Sequence, residues 1–263
     1  MLSKGTYSLK KYLISIESDD GVRLKNFFAQ KNFQTMKSEF IKLGVVGKQL
    51  ALKQYFELGV AGREQPLTPS ELGCTLSHLD ALKDFLKSDA SLALVFEDDV
   101  IQNLDFSLVE LEKEVRGLNL KPSFFLSLGG IQLKHSQKVK GHIYQQKLLD
   151  KNILEVHPFY YKKLVSAYAY IVDREMAALL LAYHNPPKVF DHWGDLEYVE
   201  KAHHFYATYL FDHPVIQNIE EDSYLEQERL EMVKIFKSRN TNKNLYSILL
   251  KKIISLFLKS YKA

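Results

Sequence analysis

Short apolar runs separated by polar turns recur along most of this chain. The first is Tyr12-Leu13-Ile14-Ser15-Ile16, which reads as a buried strand. A turn-rich stretch, Glu17-Ser18-Asp19-Asp20-Gly21, leads into a helical pattern that starts near Val22. Strand, polar loop, helix is how a parallel α/β sheet begins. Such sheets bind ligands at the carboxyl ends of their strands, here Ser15 to Asp20. Gly59, Gly62, Pro66 and Pro69 mark a loop, after which Thr68 caps a helix with Pro69 in its first position and Glu71 three residues past the cap. Leu72, Leu76, Leu79 and Leu82 recur at helical spacing toward Phe85. Further buried strands are predicted at Ser91–Phe96, Ser123–Leu128 and Ala167–Val172, and a helix at Asp173–Tyr183 that Asn185-Pro186-Pro187 ends. His135 to His157 is polar and broken, a hairpin or a mobile loop. Alternating strands and helices without internal repeats make the fold class α/β.

Composition narrows the class. With 46% hydrophobic and 25% charged residues over 263 positions, the chain has the balance of a globular protein with a sizeable core. One cysteine, Cys74, excludes an intrachain disulfide and a multi-cysteine zinc site. Met1 to Lys11 is polar and Tyr12–Ile16 is too short for a signal-peptide core, so a cytoplasmic location is expected. The net charge is +3, yet residues 232–263 hold eight basic and no acidic side chains, which leaves residues 1–231 at −5. Basicity confined to one end argues against a nucleic-acid-binding surface. The expected division is a catalytic domain over 1–231 and a basic amphipathic tail over 232–263. From Leu245 to Lys262 large apolar residues alternate with lysines at helical spacing, the composition of an interfacial helix on an anionic membrane. A terminal helix packed on the domain is the other reading.

Chemistry concentrates at Glu97-Asp98-Asp99, directly after an apolar strand. Adjacent carboxylates at a partly buried strand end raise one another's pKa. A divalent cation relieves that repulsion, and oxygen-rich sites suit magnesium and manganese. An ion held there bridges protein carboxylates to a diphosphate. An acidic surface turn would carry the same residues, but functional groups of α/β folds gather at strand ends.

The block Leu67-Thr68-Pro69-Ser70-Glu71-Leu72-Gly73-Cys74-Thr75-Leu76-Ser77-His78, followed by Leu94-Val95-Phe96-Glu97-Asp98-Asp99-Val100, resembles glycosyltransferase family 25. The opening Tyr12–Glu17 with Arg23, the stretch Ser166–Val172, Asp191, and Pro214-Val215-Ile216-Gln217 with Ser223 are similar to further motifs of that family. The resemblance covers roughly Tyr12 to Ser223. It implies a GT-A-like, Rossmann-type nucleotide-sugar-binding domain, a UDP-sugar donor (usually UDP-galactose) and inversion at the anomeric carbon.

The same resemblance implies roles. Glu97 and Asp99 are expected to hold Mn2+ or Mg2+, with His213 completing the shell. Ser15, Glu17, Arg23, Ser77, His78 and Asp98 are expected around the donor. Asp191 is expected as the general base, with Asp195 and Glu197 behind it, although Asp191 also suits a helix cap before Trp193. Trp193 stacks on a sugar or fills the core. Cys74 reads as an inert buried thiol, since nothing nearby lowers its pKa. The expected acceptor is a lipopolysaccharide or lipooligosaccharide glycan, carried on a lipid, which gives a tail on the cytoplasmic face of the inner membrane a purpose. UDP-glucose in place of UDP-galactose, a non-catalytic glycan-binding module, and a metal-dependent hydrolase or nucleotidyltransferase are the rival readings.

Overall fold

The structure, a computed structural model, describes residues 9–102, 104–214, 228–229 and 251–262. Its strands are β1 (Leu9–Ile14), β2 (Phe40–Leu43), β3 (Leu92–Glu97), β4 (Ile101–Gln102), β5 (Phe124–Gly129), β6 (Lys140–Leu148), β7 (Lys151–Val156), β8 (Ala169–Asp173), β9 (His204–Asp212) and β10 (Lys259–Ser260). They form one sheet in the order β10-β6-β7-β9-β5-β8-β3-β1-β2, with β4 paired to β9. β1 runs parallel to both β2 and β3, and β5 runs parallel to β9. β8 lies antiparallel between β3 and β5. The fold is α/β with a mixed sheet.

Apolar runs become the central strands because both of their faces are covered. Leu92 to Phe96 and Phe124 to Leu128 are buried throughout, the pattern of strands with helices on each side. One face carries the helices Pro69–Leu86 and Arg174–Tyr183, which bury Leu79, Leu82, Phe85, Met176 and Leu180 against Tyr12, Val95, Tyr170 and Val172. The other face packs Leu13, Leu94, Phe96, Leu126 and Ile171 against Leu24, Phe27, Phe33, Leu108 and Leu111. The Thr68 cap forms as expected: its hydroxyl accepts from Glu71 N at 3.1 Å while Glu71 Oε2 accepts from Thr68 N at 3.0 Å. The helix Arg174–Tyr183 is capped by Asp173, whose Oδ1 accepts from Met176 N at 2.8 Å. Of the two readings for His135 to His157, the antiparallel β6–β7 hairpin forms.

The chain end departs from expectation. Residues 232–250 lie outside the described residues. Residues 251–255 are helical, but the helix does not continue to Lys262; Lys259 and Ser260 instead pair with Gly141 and Lys140 as an edge strand. The reason is burial: Leu258 is enclosed by the core, and Ile254 and Tyr261 pack against it. A continuing helix would withdraw those side chains and leave the β6 edge unpaired. Lys140 Nζ donates to Ser255 O at 3.0 Å and Asn152 Nδ2 to Lys262 O at 3.0 Å, which holds the segment in place.

Candidate active site

Glu97 is where β3 leaves the sheet, its amide donating to Tyr168 O at 2.8 Å. The parallel register sets Ile14 opposite Glu97, so the next residue of each strand meets across the gap. Ser15 Oγ therefore donates to Asp98 Oδ2 at 2.5 Å. The polar loop after β1 returns Arg23 over the same point, 2.6 Å from Asp98 Oδ1 and 2.5 Å from Asp99 Oδ2. On the far side β4 pairs with the end of β9, Ile101 opposite Asp212, which delivers His213 Nε2 to 3.2 Å from Asp99 Oδ2. His213 Nδ1 also lies 2.9 Å from Pro214 O. The two aspartates thus meet Ser15 just past β1, Arg23 in the helix Val22–Ala29, and His213 just past β9.

The electrostatics follow from this packing. Burial raises Asp98 to about 6, against the pull of Arg23 and the Ser15 hydroxyl, while Asp99 and Glu97 push it further up. Burial works to raise Asp99 as well, but the hydrogen bond and charge of His213, with Arg23, outweigh it and hold the group below the ordinary carboxylate value. Burial opposes protonation of His213, yet Asp99 and Glu97 lift it to about 9. At neutral pH the pair is an imidazolium against a carboxylate.

Glu97 faces elsewhere. Its Oε1 is 3.2 Å from His78 Nε2, and His78 Nδ1 is 3.0 Å from the Tyr170 hydroxyl. His78 is fully buried and stacked on Phe190, with centroids 4.2 Å apart and planes at 8°. It orients Glu97 from behind, and no face of it is open to a sugar. Ser77 is also enclosed: its hydroxyl donates to Gly73 O at 2.7 Å and accepts from Val45 N at 2.8 Å. The first bond stays within the helix and the second ties that helix to the loop after β2, so its place is structural. Glu17 is half-buried, its carbonyl accepting from Lys42 Nζ at 2.8 Å, and its charge supports the protonated Arg23.

Asp191 does not cap a helix. Trp193 occupies the cap position before Gly194–Tyr198, and Asp191 Oδ2 instead accepts from Ser166 N at 2.8 Å. Its charge and that of Glu97 both act on the Cys74 thiol. Burial, ahead of those charges, raises that thiol well above its ordinary value and keeps it protonated. Asp195 is exposed and ion-paired to Lys188 at 3.2 Å. Trp193 is completely buried between Phe125 and Phe205, at centroid distances of 4.8 and 5.1 Å, so it is a core residue and does not stack on a sugar. Tyr170 and Phe190 fix His78, and nothing in the sequence marked them for that task. Their signal is tertiary, a hydroxyl 92 positions away and a stacked ring.

A metal was expected among Glu97, Asp99 and His213. Asp99 and His213 meet, but Glu97 turns to His78, and among the described residues the group gathered within 4.8 Å is Cys74, His78 and Glu97. That set has the soft character of zinc ligands, but its thiol is held protonated and its imidazole is engaged at both nitrogens. The aspartate side fits a hard divalent ion better. Asp99 Oδ1 is buried without a hydrogen-bond partner, an acceptor that an ion would satisfy.

The model of glycosyltransferase family 25 (LPS biosynthesis protein) matches residues 8–193 of this chain. The chain belongs to that family. The match takes in β1, the Thr68 to His78 block, the acidic triplet and Asp191, and it stops short of Asp195 and His213. This family 25 protein is a glycosyltransferase, which requires a sugar donor and a glycan acceptor. Among solved structures, the crystal structure of A197 from STIV is similar over 79% of this chain and 85% of that one, at 13% identity and a TM-score of 0.39.

Proposed function

We propose that this family 25 enzyme transfers a hexose from a UDP-sugar to a lipid-linked lipopolysaccharide or lipooligosaccharide glycan, with inversion at the anomeric carbon. Galactose from UDP-galactose is the first choice of donor and glucose from UDP-glucose the alternative. The observation that carries the reading is the set of carboxylates at the carboxyl end of β3, met there by Ser15, Arg23 and His213. The parallel run β2-β1-β3 ending at that set supports a GT-A-like, nucleotide-sugar-binding arrangement.

Asp99 would hold Mn2+ or Mg2+, joined by Glu97 on turning from His78 and by His213 once deprotonated. A bound ion supplies Lewis-acid neutralisation of the departing diphosphate. Arg23 adds positive charge beside it. Asp98, fixed by Ser15, orients the donor's ribose or sugar. Asp191 takes the proton of the acceptor hydroxyl as that oxygen bonds to the anomeric carbon, and the bond from that carbon to the diphosphate oxygen breaks with its electron pair leaving on UDP. His78 acts through Glu97 as a positioning residue.

The test is sugar transfer and donor hydrolysis by wild type and Asp99→Asn, with and without EDTA. A loss of about 100-fold or more is expected in the folded variant, the scale on which removing one charge-stabilising group acts. Full turnover in excess EDTA, or by folded Asp99→Asn, would end the metal proposal. For the donor, calorimetry should show binding of UDP-galactose or UDP-glucose; tight binding of a GDP- or CMP-sugar alone would overturn the UDP assignment.

The proposed location is peripheral, on the cytoplasmic face of the inner membrane. Among the described residues no helix is long and apolar enough to cross a membrane. Support for a surface contact comes from the chain end, where Ile253, Leu256 and Phe257 are exposed beside the exposed Lys252, Lys259 and Lys262.

A further inference from the structure

A cavity lies against the loop that follows β5. It measures about 390 Å3 and is lined by Ile131, Gln132, Ser136, Gln137 and Val139 of that loop, by Tyr209 of β9 and by Tyr261 after β10. The volume falls within the roughly 300–1,000 Å3 of small-molecule sites. Three separate stretches of chain build it. Gly130, at φ +89, turns β5 into the loop, and Tyr209 N donates to the Tyr261 hydroxyl at 3.1 Å, which draws the chain end over the cavity.

We infer that this cavity is the subsite that receives an uncharged sugar ring of the acceptor glycan, with the C-terminal segment forming one wall. The inference rests on the glycosyltransferase reading and adds the place and chemical class of the acceptor.

Every lining side chain is neutral, which suits a sugar ring and does not suit a diphosphate. Two tyrosine rings, two amides and a hydroxyl supply the mix of apolar faces and hydrogen-bonding groups that recognises carbohydrate. Gln132 Nε2 faces Tyr168 Oη at 3.1 Å, Phe211 O at 3.2 Å and Asp212 Oδ1 at 2.8 Å, which fixes the amide's orientation. Its Oε1 is left buried without a partner.

The position agrees with the chemistry. Tyr209 donates to Asp212 Oδ2 at 2.8 Å, and the next residue, His213, contacts Asp99, so the cavity adjoins the donor side. The same loop reaches Asp191 at its other flank. A Cβ placed on Gly130 would lie 3.1 Å from Ser166 Cβ, and Ser166 N donates to Asp191 Oδ2. The walls of the cavity are thus linked to the triplet through Tyr209, Asp212 and His213, and to the proposed base through Gly130 and Ser166.

The experiment uses the full chain, wild type beside Tyr261→Ala, Tyr261→Phe and Gln137→Ala. Saturation-transfer NMR is recorded with lactose, maltose and the methyl glycosides of galactose, glucose and N-acetylglucosamine, and calorimetry with UDP-galactose and UDP-glucose. Wild type should bind at least one neutral sugar. Tyr261→Ala and Gln137→Ala should each weaken that binding about tenfold. Tyr261→Phe, which keeps the ring and loses the hydroxyl bonded to Tyr209 N, should weaken it less, and none should alter donor affinity. If no neutral sugar binds wild type, or if both Tyr261→Ala and Gln137→Ala bind it as wild type does while melting normally, the subsite assignment is wrong. Failure of the glycosyltransferase reading looks different: neither UDP-sugar binds or turns over, whatever the neutral sugars do.

Discussion

Three neighbouring carboxylates end in three different states because each meets a different surrounding. Asp98 is driven up to about 6 by burial, Asp99 is held down by His213 and Arg23 against its own burial, and Glu97 is oriented by His78. The triplet itself was legible, since it follows an apolar strand. Its partners were legible only in part: Arg23 and His213 were picked out through resemblance, while the His78–Tyr170 contact depends on sheet register that no local pattern encodes. The same neighbourhood contains a buried histidine with a testable consequence. His184 stacks on Phe190 at 5.2 Å, and burial, with Lys188 and His78 behind it, lowers its pKa to about 4. Its ring nitrogens lie near the backbone of Lys188 and Phe190 without hydrogen bonds of ordinary geometry, so that backbone offsets only part of the desolvation. The unfolded chain takes up a proton near pH 6.5 and the folded chain does not until about 4. Stability from this residue is therefore full above 6.5 and is lost as pH falls toward 4, by about 2 kcal/mol at pH 5. Asp98 works in the opposite sense, because its folded pKa is raised: its contribution is full below about 3.8 and is lost as pH rises through 6. The variant His184→Phe keeps the stacked ring and removes one titration, so the difference isolates it. Urea melts at pH 7 and pH 5 should show a smaller loss in His184→Phe than in wild type; equal losses would mean that His184 is not buried neutral.

At the scale of elements, the patterns that worked were those with an energetic cause inside a single stretch of sequence. The Thr68 capping box forms as read, and the continuous apolar strands and the helix Arg174–Tyr183 fall within about two residues of expectation. The helix Leu108–Gly117 carried an equally readable Ser107-x-x-Glu110 box, a signal present in the sequence and left unused. β9 is harder: His204–Asp212 alternates neither with period two nor as a pure apolar run, since its pairing switches from β5 and β7 to β4 along its length. Gly73 shows what the Gly-Cys-x-x-Ser-His block does physically. A Cβ there would sit 2.6 Å from Val45 O and 2.7 Å from Gly47 N, both backbone atoms that cannot swing aside. The close approach lets Ser77 hold Val45, and the same loop places Leu43 O to accept from Ser15 N at 2.9 Å. Gly73→Ala should therefore lower stability: overpacking costs about 1–3 kcal/mol, against about 1 kcal/mol gained in helix propensity. Gly117→Ala, where a Cβ meets nothing within 4 Å, serves as the control and should be neutral or stabilising. Comparable melting temperatures for the two variants would show that the loop moves freely away from the helix.

For the molecule as a whole, the basic chain end links the sheet, the cavity and the proposed membrane contact. The sequence placed all of 232–263 in one amphipathic tail; the last described stretch divides its apolar residues between two surroundings. Leu258 is buried and Ile254 and Tyr261 lean on the core, whereas Leu256 and Phe257 are 80% and 77% exposed. Lys251 is likewise committed inward, donating to Phe159 O and lying 4.7 Å over the Tyr160 ring. The inward set was invisible in the sequence because helical spacing assigns Leu256, Phe257 and Leu258 to one helix, and the edge of β6 breaks that helix. Deleting the tail would consequently remove core and cavity wall together with any membrane contact. A cleaner test replaces only the outward pair. Leu256→Glu/Phe257→Glu should leave the melting temperature and UDP-sugar affinity unchanged and weaken sedimentation with anionic liposomes. Two terms add in the wild type: apolar area from Leu256, Phe257 and Ile253, and about 1 kcal/mol from each lysine close to the surface. Salt screens the second and spares the first, so raising ionic strength should loosen wild-type binding partway and abolish what remains in the double variant. Liposomes of neutral lipid should retain the wild type weakly and the variant not at all. Equal binding of the two proteins, or none by either, would mean that Leu256 and Phe257 face something other than a membrane.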